Sequence, residues 1–272
     1  MIHAATESLE SRVLLATLPV TDIGARLDIA EATGGGSVAS PVIAYNPNDP
    51  RKLVSVFQSY EPDSGSNQQI FIRGVYSVDA GSSWAAFDLP ENLRDPTMPD
   101  DFPPFYGVSA PSLSFDNLGN FYVVYSEFNA TLARAGAIVL HKFDFTGAQP
   151  VMDSKLNDVV LYRWAGQDPA SFPCVVADTT VASFTDPDTK AVQTNALLNL
   201  PAGEGRVAGQ GAVYVSYSVR HTLADGSQNS AIWVMASQDG ARTFSTPVKV
   251  NDSKYGDAID HTAPQMVVSQ GS

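Results

Sequence analysis

Ser77-Val78-Asp79-Ala80-Gly81-Ser82-Ser83-Trp84 and Ser237-Gln238-Asp239-Gly240-Ala241-Arg242-Thr243-Phe244 share one pattern, Ser-x-Asp-x-x-x-(Ser/Thr)-aromatic. Each copy follows a short apolar strand-like run and leads into another, so each reads as the turn of a β-hairpin. An Asp at a tight reversal accepts bonds from nearby backbone N–H groups. Gly81 and Gly240 supply positive φ without a Cβ clash, and Trp84 and Phe244 return into apolar space between strands or blades. Ser77, Asp79, Ser237 and Asp239 therefore read as structural residues before they read as catalytic acids or metal ligands.

The turns sit inside a larger repeat. Four prolines, Pro41, Pro111, Pro173 and Pro264, each precede apolar residues at alternate positions, with spacings of 70, 62 and 91 residues. Pro suits the opening position of a strand, where no ladder donor is needed. A β-branched and aromatic second strand follows three of them, at Leu53–Phe57, Phe121–Tyr125 and Val213–Tyr217. Third strands follow at Ile70–Tyr76, Ala137–Phe143 and Ala231–Ala236, and weaker fourth strands at Ala85–Leu89, Val159–Tyr162 and Val248–Val250. The middle repeat carries a plain Asp144-Phe145-Thr146-Gly147 turn in place of the Asp pattern. The insertion 179–210 reads as loop from its Pro, Gly, Asp and Thr content.

Four-stranded units without helical periodicity predict an all-β protein, a β-propeller of antiparallel four-stranded blades, three complete and a fourth begun. The expected boundaries are an N-terminal arm over 1–25 and a partial propeller over 26–272. Its blades fall at about 37–107, 108–162 and 163–256, with an incomplete one at 257–272. Propellers close with roughly four to eight blades, so the chain reads as the N-terminal part of a larger ring. The segment Arg26–Ala30 is a candidate outer strand for a closing blade.

The doubled turn resembles the Asp-box of the sialidase (BNR-repeat) superfamily, over about residues 37–272. That resemblance implies a propeller whose Asp-box turns lie on the face opposite the active site. Strand order agrees, because turns joining strands one to two and three to four share a face of an up-and-down blade. For a sialidase it further implies three Arg on the substrate carboxylate, a Tyr nucleophile paired with Glu, and an Asp acid–base. The first Arg stands two residues before Pro on an innermost strand. The matching positions are Ala39, Ser109, Ser171 and Thr262, and none is Arg. Separately, Leu9-Glu10-Ser11-Arg12-Val13-Leu14-Leu15-Ala16 is similar to a Leu-Glu-x-Arg-x-Leu-Leu-Ser/Ala segment near the start of many planctomycete exported and surface proteins. It implies a secreted or cell-surface bacterial protein; a short amphipathic helix is the plainer reading.

Composition narrows the partners. Lys and Arg total 16 against 29 Asp and Glu, a net charge of −13, which repels phosphate backbones and anionic membranes. No apolar run reaches the ~18 residues of a membrane span. The lone Cys174 excludes an intrachain disulfide and a thiolate metal cluster and reads as a small buried hydrophobe. His3, His141, His221 and His261 show no ligand spacing, and Asp186-Pro187-Asp188 and Asp225-Gly226-Ser227 are turn chemistry. No cofactor or metal is expected.

Ligand-face candidates are the loops away from the Asp-boxes: Glu61, Asp63, and the segments 90–109, 163–172, 221–229 and 253–262. Within them Asp100, Asp101, Tyr106, Arg163, Trp164 and His261 are the candidate binding residues. Carboxylates for hydroxyl groups and rings for sugar faces are what a carbohydrate site needs. Two readings follow. One is a non-catalytic extracellular recognition or surface module with a carbohydrate or protein ligand. The alternative is an exo-α-sialidase-type or other glycoside hydrolase whose catalytic set is completed by further blades.

Overall fold

The middle of the chain alternates in a way that calls for neighbours on both sides. Phe121, Val123 and Tyr125 point one way and Tyr122 and Val124 the other, and all five are buried. A strand buried on both faces reads as a continuous apolar run, and that requirement organises the molecule. The computed structural model describes residues 37–62, 68–90, 92–93, 105, 107–129, 135–156, 159–166, 168–179, 183–185, 192–194, 211–222, 225–251 and 262–268. The N-terminal arm, with its export-like segment and Arg26–Ala30, lies outside them.

Three larger antiparallel sheets follow one another, the first and third four-stranded and the second five-stranded. The first contains β1 (Ser37–Asn46), β2 (Asp49–Pro62), β3 (Gln68–Ser77) and β4 (Ala85–Phe87) in that order. The second runs β5 (Gly107–Phe115), β6 (Asn120–Asn129), β7 (Ala135–Asp144) and β8 (Val151–Met152), with β9 (Val159–Trp164) also paired to β7. The outer edge of this blade is thus built from two short strands, where the sequence predicts one. The third sheet opens with β10 (Ala170–Ala177). A small hairpin, β11 (Ser183–Thr185) with β12 (Val192–Thr194), stands in the insertion that reads as loop in the sequence. The sheet then completes as β13 (Val213–Thr222), β14 (Gln228–Ser237) and β15 (Val248–Lys249).

Consecutive sheets stack through apolar layers. Val54, Val56 and Ile72 of the first meet Phe121, Val123, Val139 and Phe143 of the second. Tyr122, Val124, Ile138 and Leu140 on its other face meet Val175, Val213, Val215 and Tyr217 of the third. The Phe121 and Phe143 rings, in register across β6 and β7, stack at 4.9 Å between centroids. The first strands of the blades are the inner ones, and β5 packs against both β1 and β10. Ser112 and Ser114 of β5 accept the N–H groups of Val175 and Ala177 at 3.0 and 2.9 Å, which satisfies donors on the inner edge of β10. The chain is an all-β propeller array of three complete blades and the start of a fourth.

The residue before each repeat's Pro carries the same distortion. Ser40, Ala110, Phe172 and Ala263, each immediately before Pro, have φ of 51, 52, 52 and 52°. The ladder shifts register there, between Ala39 and Val42, Ser109 and Ser112, and Ser171 and Cys174. Left-handed backbone in a non-Gly residue costs about 1–3 kcal/mol. At Thr262–Val268 the bulge recurs without ladder partners among the described residues, so Pro264 begins the fourth repeat but not a paired strand.

Candidate functional site

The two faces of the array are chemically different. One carries the Asp turns. In the first, Asp79 Oδ1 accepts the Ser77 hydroxyl at 2.7 Å and the Ser83 N–H at 2.8 Å, and Oδ2 accepts the Ser83 hydroxyl at 2.6 Å. Asp239 repeats this with Ser237, Arg242 N–H and Thr243. Both reversals place two successive residues at positive φ, Ala80 and Gly81 in one and Gly240 and Ala241 in the other. Ala80 N–H donates to the Arg51 carbonyl at the β1–β2 end, so the two turns do share a face. Trp84 folds onto Phe57 and Val75, and Phe244 onto the core between the second and third blades. Ser83 holds the Asp79 carboxyl down to about 2, with Ser77 adding to it. Burial opposes ionisation of Asp239, but bonds from Thr243 and Ser237 outweigh it and its pKa is lowered. Carboxylates bonded this way complete a turn and offer little to a ligand.

The opposite face holds a cleft of about 750 Å3 between the second and third blades. Ser109 and Ser171 reach it from the residue before each bulge, and Ser126 from β6. The connection after β9 contributes Trp164, Gly166 and Asp168, and the β13–β14 end contributes Arg220, Thr222 and Gln228. Asp168 has a φ of 53° and meets His221 Nδ1 at 3.1 Å. Its carbonyl accepts the Tyr162 hydroxyl at 3.1 Å.

Two rings form the apolar part of the cleft, and each lies across a glycine. Phe128 is in register with Gly107 and Trp164 with Gly136. A Cβ at Gly107 would enter the Phe128 ring, and one at Gly136 would enter the Trp164 ring and the Glu127 carbonyl. Close approach is the reason for glycine at both positions.

Paired serines carry the polar part. Ser109 and Ser126 hydroxyls stand 2.8 Å apart, and Ser126 also donates to the Ser109 carbonyl at 3.2 Å. Ser171 and Ser218 repeat the arrangement at 3.4 and 3.1 Å. Among the described residues lining the cleft, Asp168 is the one carboxylate. Glu127 is buried at the end of β6, where its Oε2 accepts the Leu93 N–H at 2.8 Å. Burial first, and then the Tyr162 charge, pushes the Tyr217 phenol up to about 12; burial and Asp168 raise Tyr162. Neither phenol is primed as a nucleophile at neutral pH.

Of the candidate binding residues, Trp164 lines this cleft and Arg163 does not: strand alternation turns it outward, exposed, opposite Ala137. Asp100, Asp101, Tyr106 and His261 lie outside the described residues. The sequence named the segments holding Asp168, Thr222 and Gln228 without singling those residues out. Ser109 and Ser171 drew notice only as positions lacking Arg, and Ser126 carried no signal. Asp225 accepts the Ser227 N–H and hydroxyl in a plain turn. Among the described residues no cluster of His, Cys, Asp and Glu could hold a metal ion, and no helix is long and apolar enough to cross a membrane.

No family model and no curated protein matches the sequence. Among solved structures, Trypanosoma rangeli sialidase in complex with sialic acid overlays 77% of this chain at 11% identity and a TM-score of 0.41. The chain spans about 30% of that sialidase's length. A xylan β-1,4-xylosidase from Bacillus halodurans C-125 overlays 87% of the chain at 12% identity and a TM-score of 0.30, with 48% of its own length covered. A structure from the GH130 family of mannoside phosphorylases and glycoside hydrolases overlays 84% at 11% identity and 0.29, with 76% of its length covered. At these overlays the blade assignment rests on the chain's own sheets.

Proposed function

We propose that this chain is a non-catalytic recognition module, an exported propeller that binds a carbohydrate on the face opposite its Asp turns. The cleft between the second and third blades carries the reading. Glycoside hydrolysis generally needs two carboxyl groups flanking the scissile bond, whereas Asp168, engaged by His221, is the one carboxylate among the described residues lining this cleft. The positions where a sialidase-type site places its first Arg hold Ala39, Ser109, Ser171 and Thr262. Hydroxyls, an amide and two rings suit binding of a polar, ring-shaped ligand. Export is supported by the Leu9–Ala16 segment, and a secreted or cell-surface site of action suits such a ligand.

A panel of fluorogenic glycosides, sialosides included, tests the reading together with saccharide binding measured on the same preparation. Binding without release of the fluorophore is expected. Release at a rate that rises with protein concentration and is lost in Asp168→Asn would make the chain a hydrolase instead.

A further inference from the structure

We infer that the cleft between the second and third blades selects an uncharged, hydroxyl-rich saccharide and rejects carboxylate-bearing ones, because its paired serines present lone pairs and not protons. The inference rests on the recognition reading above and adds the ligand's chemistry.

A serine hydroxyl has one proton to give and two lone pairs. Both contacts of the first pair are made at once when Ser126 gives its proton to the Ser109 carbonyl and Ser109 gives its own to the Ser126 hydroxyl, at 3.2 and 2.8 Å. Ser218 donates to the Ser171 carbonyl, and the proton of Ser171 is directed at Ser218 in the same way. Ser126 and Ser218 are buried, while Ser109 and Ser171 are half-buried and face the cleft. What the serine pairs offer a ligand is therefore oxygen lone pairs, while the donors of Arg220, Thr222 and Gln228 stand exposed at the rim. Asp168 adds acceptor oxygens, and its contact with His221 engages only Oδ1.

An acceptor-rich wall binds O–H donors. A ligand carboxylate accepts only, so it meets lone pair against lone pair. A metal cation would also favour oxygens, but the described residues offer no charged cluster to hold one. Arg220 is exposed at the rim, where solvent screens its charge, and the chain's net charge of −13 biases the surface against anions. The backbone places these groups. Ala110 and Phe172 hold left-handed φ immediately after Ser109 and Ser171, and Asp168 does so itself. The bulges set both serines at equivalent positions in neighbouring blades, on either side of the junction.

Saturation-transfer NMR on the full chain tests this with methyl α-D-mannopyranoside, methyl β-D-xylopyranoside and N-acetylneuraminic acid as probes. Transfer to a neutral glycoside and none to N-acetylneuraminic acid is expected. Thr222→Val and Gln228→Leu, both at exposed positions, should each weaken the neutral ligand about fivefold or more. Ser126→Ala frees the Ser109 proton, so it should narrow the gap between neutral and anionic probes, a change that mere loss of stability does not produce. Equal or stronger binding of N-acetylneuraminic acid, neutral binding indifferent to the three substitutions, or no saccharide binding would each overturn the inference. Turnover of a neutral glycoside with the same selectivity would remove the recognition reading and leave the cleft chemistry standing.

Discussion

Asp239 and Asp79 do the same job in different surroundings, and the difference is measurable. Asp239 is 7% exposed and accepts from two backbone N–H groups and two hydroxyls. Asp239→Ala strands those donors and should cost about 2 kcal/mol in urea unfolding; a loss under about 0.5 kcal/mol would show that the turn closes without its carboxylate. Asp79→Ala, at the exposed turn, should cost less. Both folded-state pKa values are depressed, that of Asp79 to about 2. Their contribution is complete above the unfolded value near ~3.9 and is lost as pH falls through the folded one. Melting temperature should accordingly drop between about pH 4 and pH 2, and a double Asp→Asn variant should be flatter across that window. Ala80 is a residue where function gives no reason for strain. Its φ of 60° in a reversal already holding Gly81 predicts that Ala80→Gly stabilises by about 0.5–1 kcal/mol, the relief of left-handed strain less the extra chain entropy of glycine.

Single strands explain both what could be read in advance and what could not. The second and third strands announce themselves by β-branched and aromatic runs, and their turns by Asp and Gly, because propensity and burial agree there. Pro41, Pro111 and Pro173 fall in inner strands and Pro264 does not, but Ala110 and Phe172 adopt left-handed backbone where a residue before Pro is ordinarily extended. That conflict is invisible to local rules. Without the bulge, Ser109 and Ser171 read as ordinary strand residues, and Ser126, far from either in sequence, offers no motif at all. Trp164 was legible as an aromatic at a connection, yet its seat depends on a glycine on another strand. Gly136→Ala tests this pairing. A methyl there enters the indole and the Glu127 carbonyl, so the variant should lose about 1–3 kcal/mol by overpacking and shift the Trp164 emission. An unchanged melt and spectrum would show that the ring does not cross β7 at that point.

Across the whole molecule, the blades are joined by more than apolar layers. Lys52 of the first blade donates to the carbonyls of Phe145, Thr146 and Gly147 in the second at 3.0, 2.6 and 2.7 Å, and lies over the Phe145 ring. Asn48 reaches the Asn117 carbonyl on the same face. Such links fix neighbouring blades, but they do nothing for the two ends of the array. The middle blade is covered on both sides, whereas the outward side of β1 leaves Ile43 63% and Tyr45 60% exposed. In the third blade, Val248 and Val250 are 61% and 54% exposed. Apolar strand faces of this kind associate when nothing covers them. The 28.9 kDa chain should therefore sediment as a monomer only at low concentration and grow in mass as concentration rises. Ile43→Thr with Tyr45→Thr keeps β propensity while removing apolar area, and should move that onset to higher concentration without changing urea stability by more than about 1 kcal/mol. If the native chain stays monomeric at concentrations where the doubly substituted one does, these end faces are not adhesive.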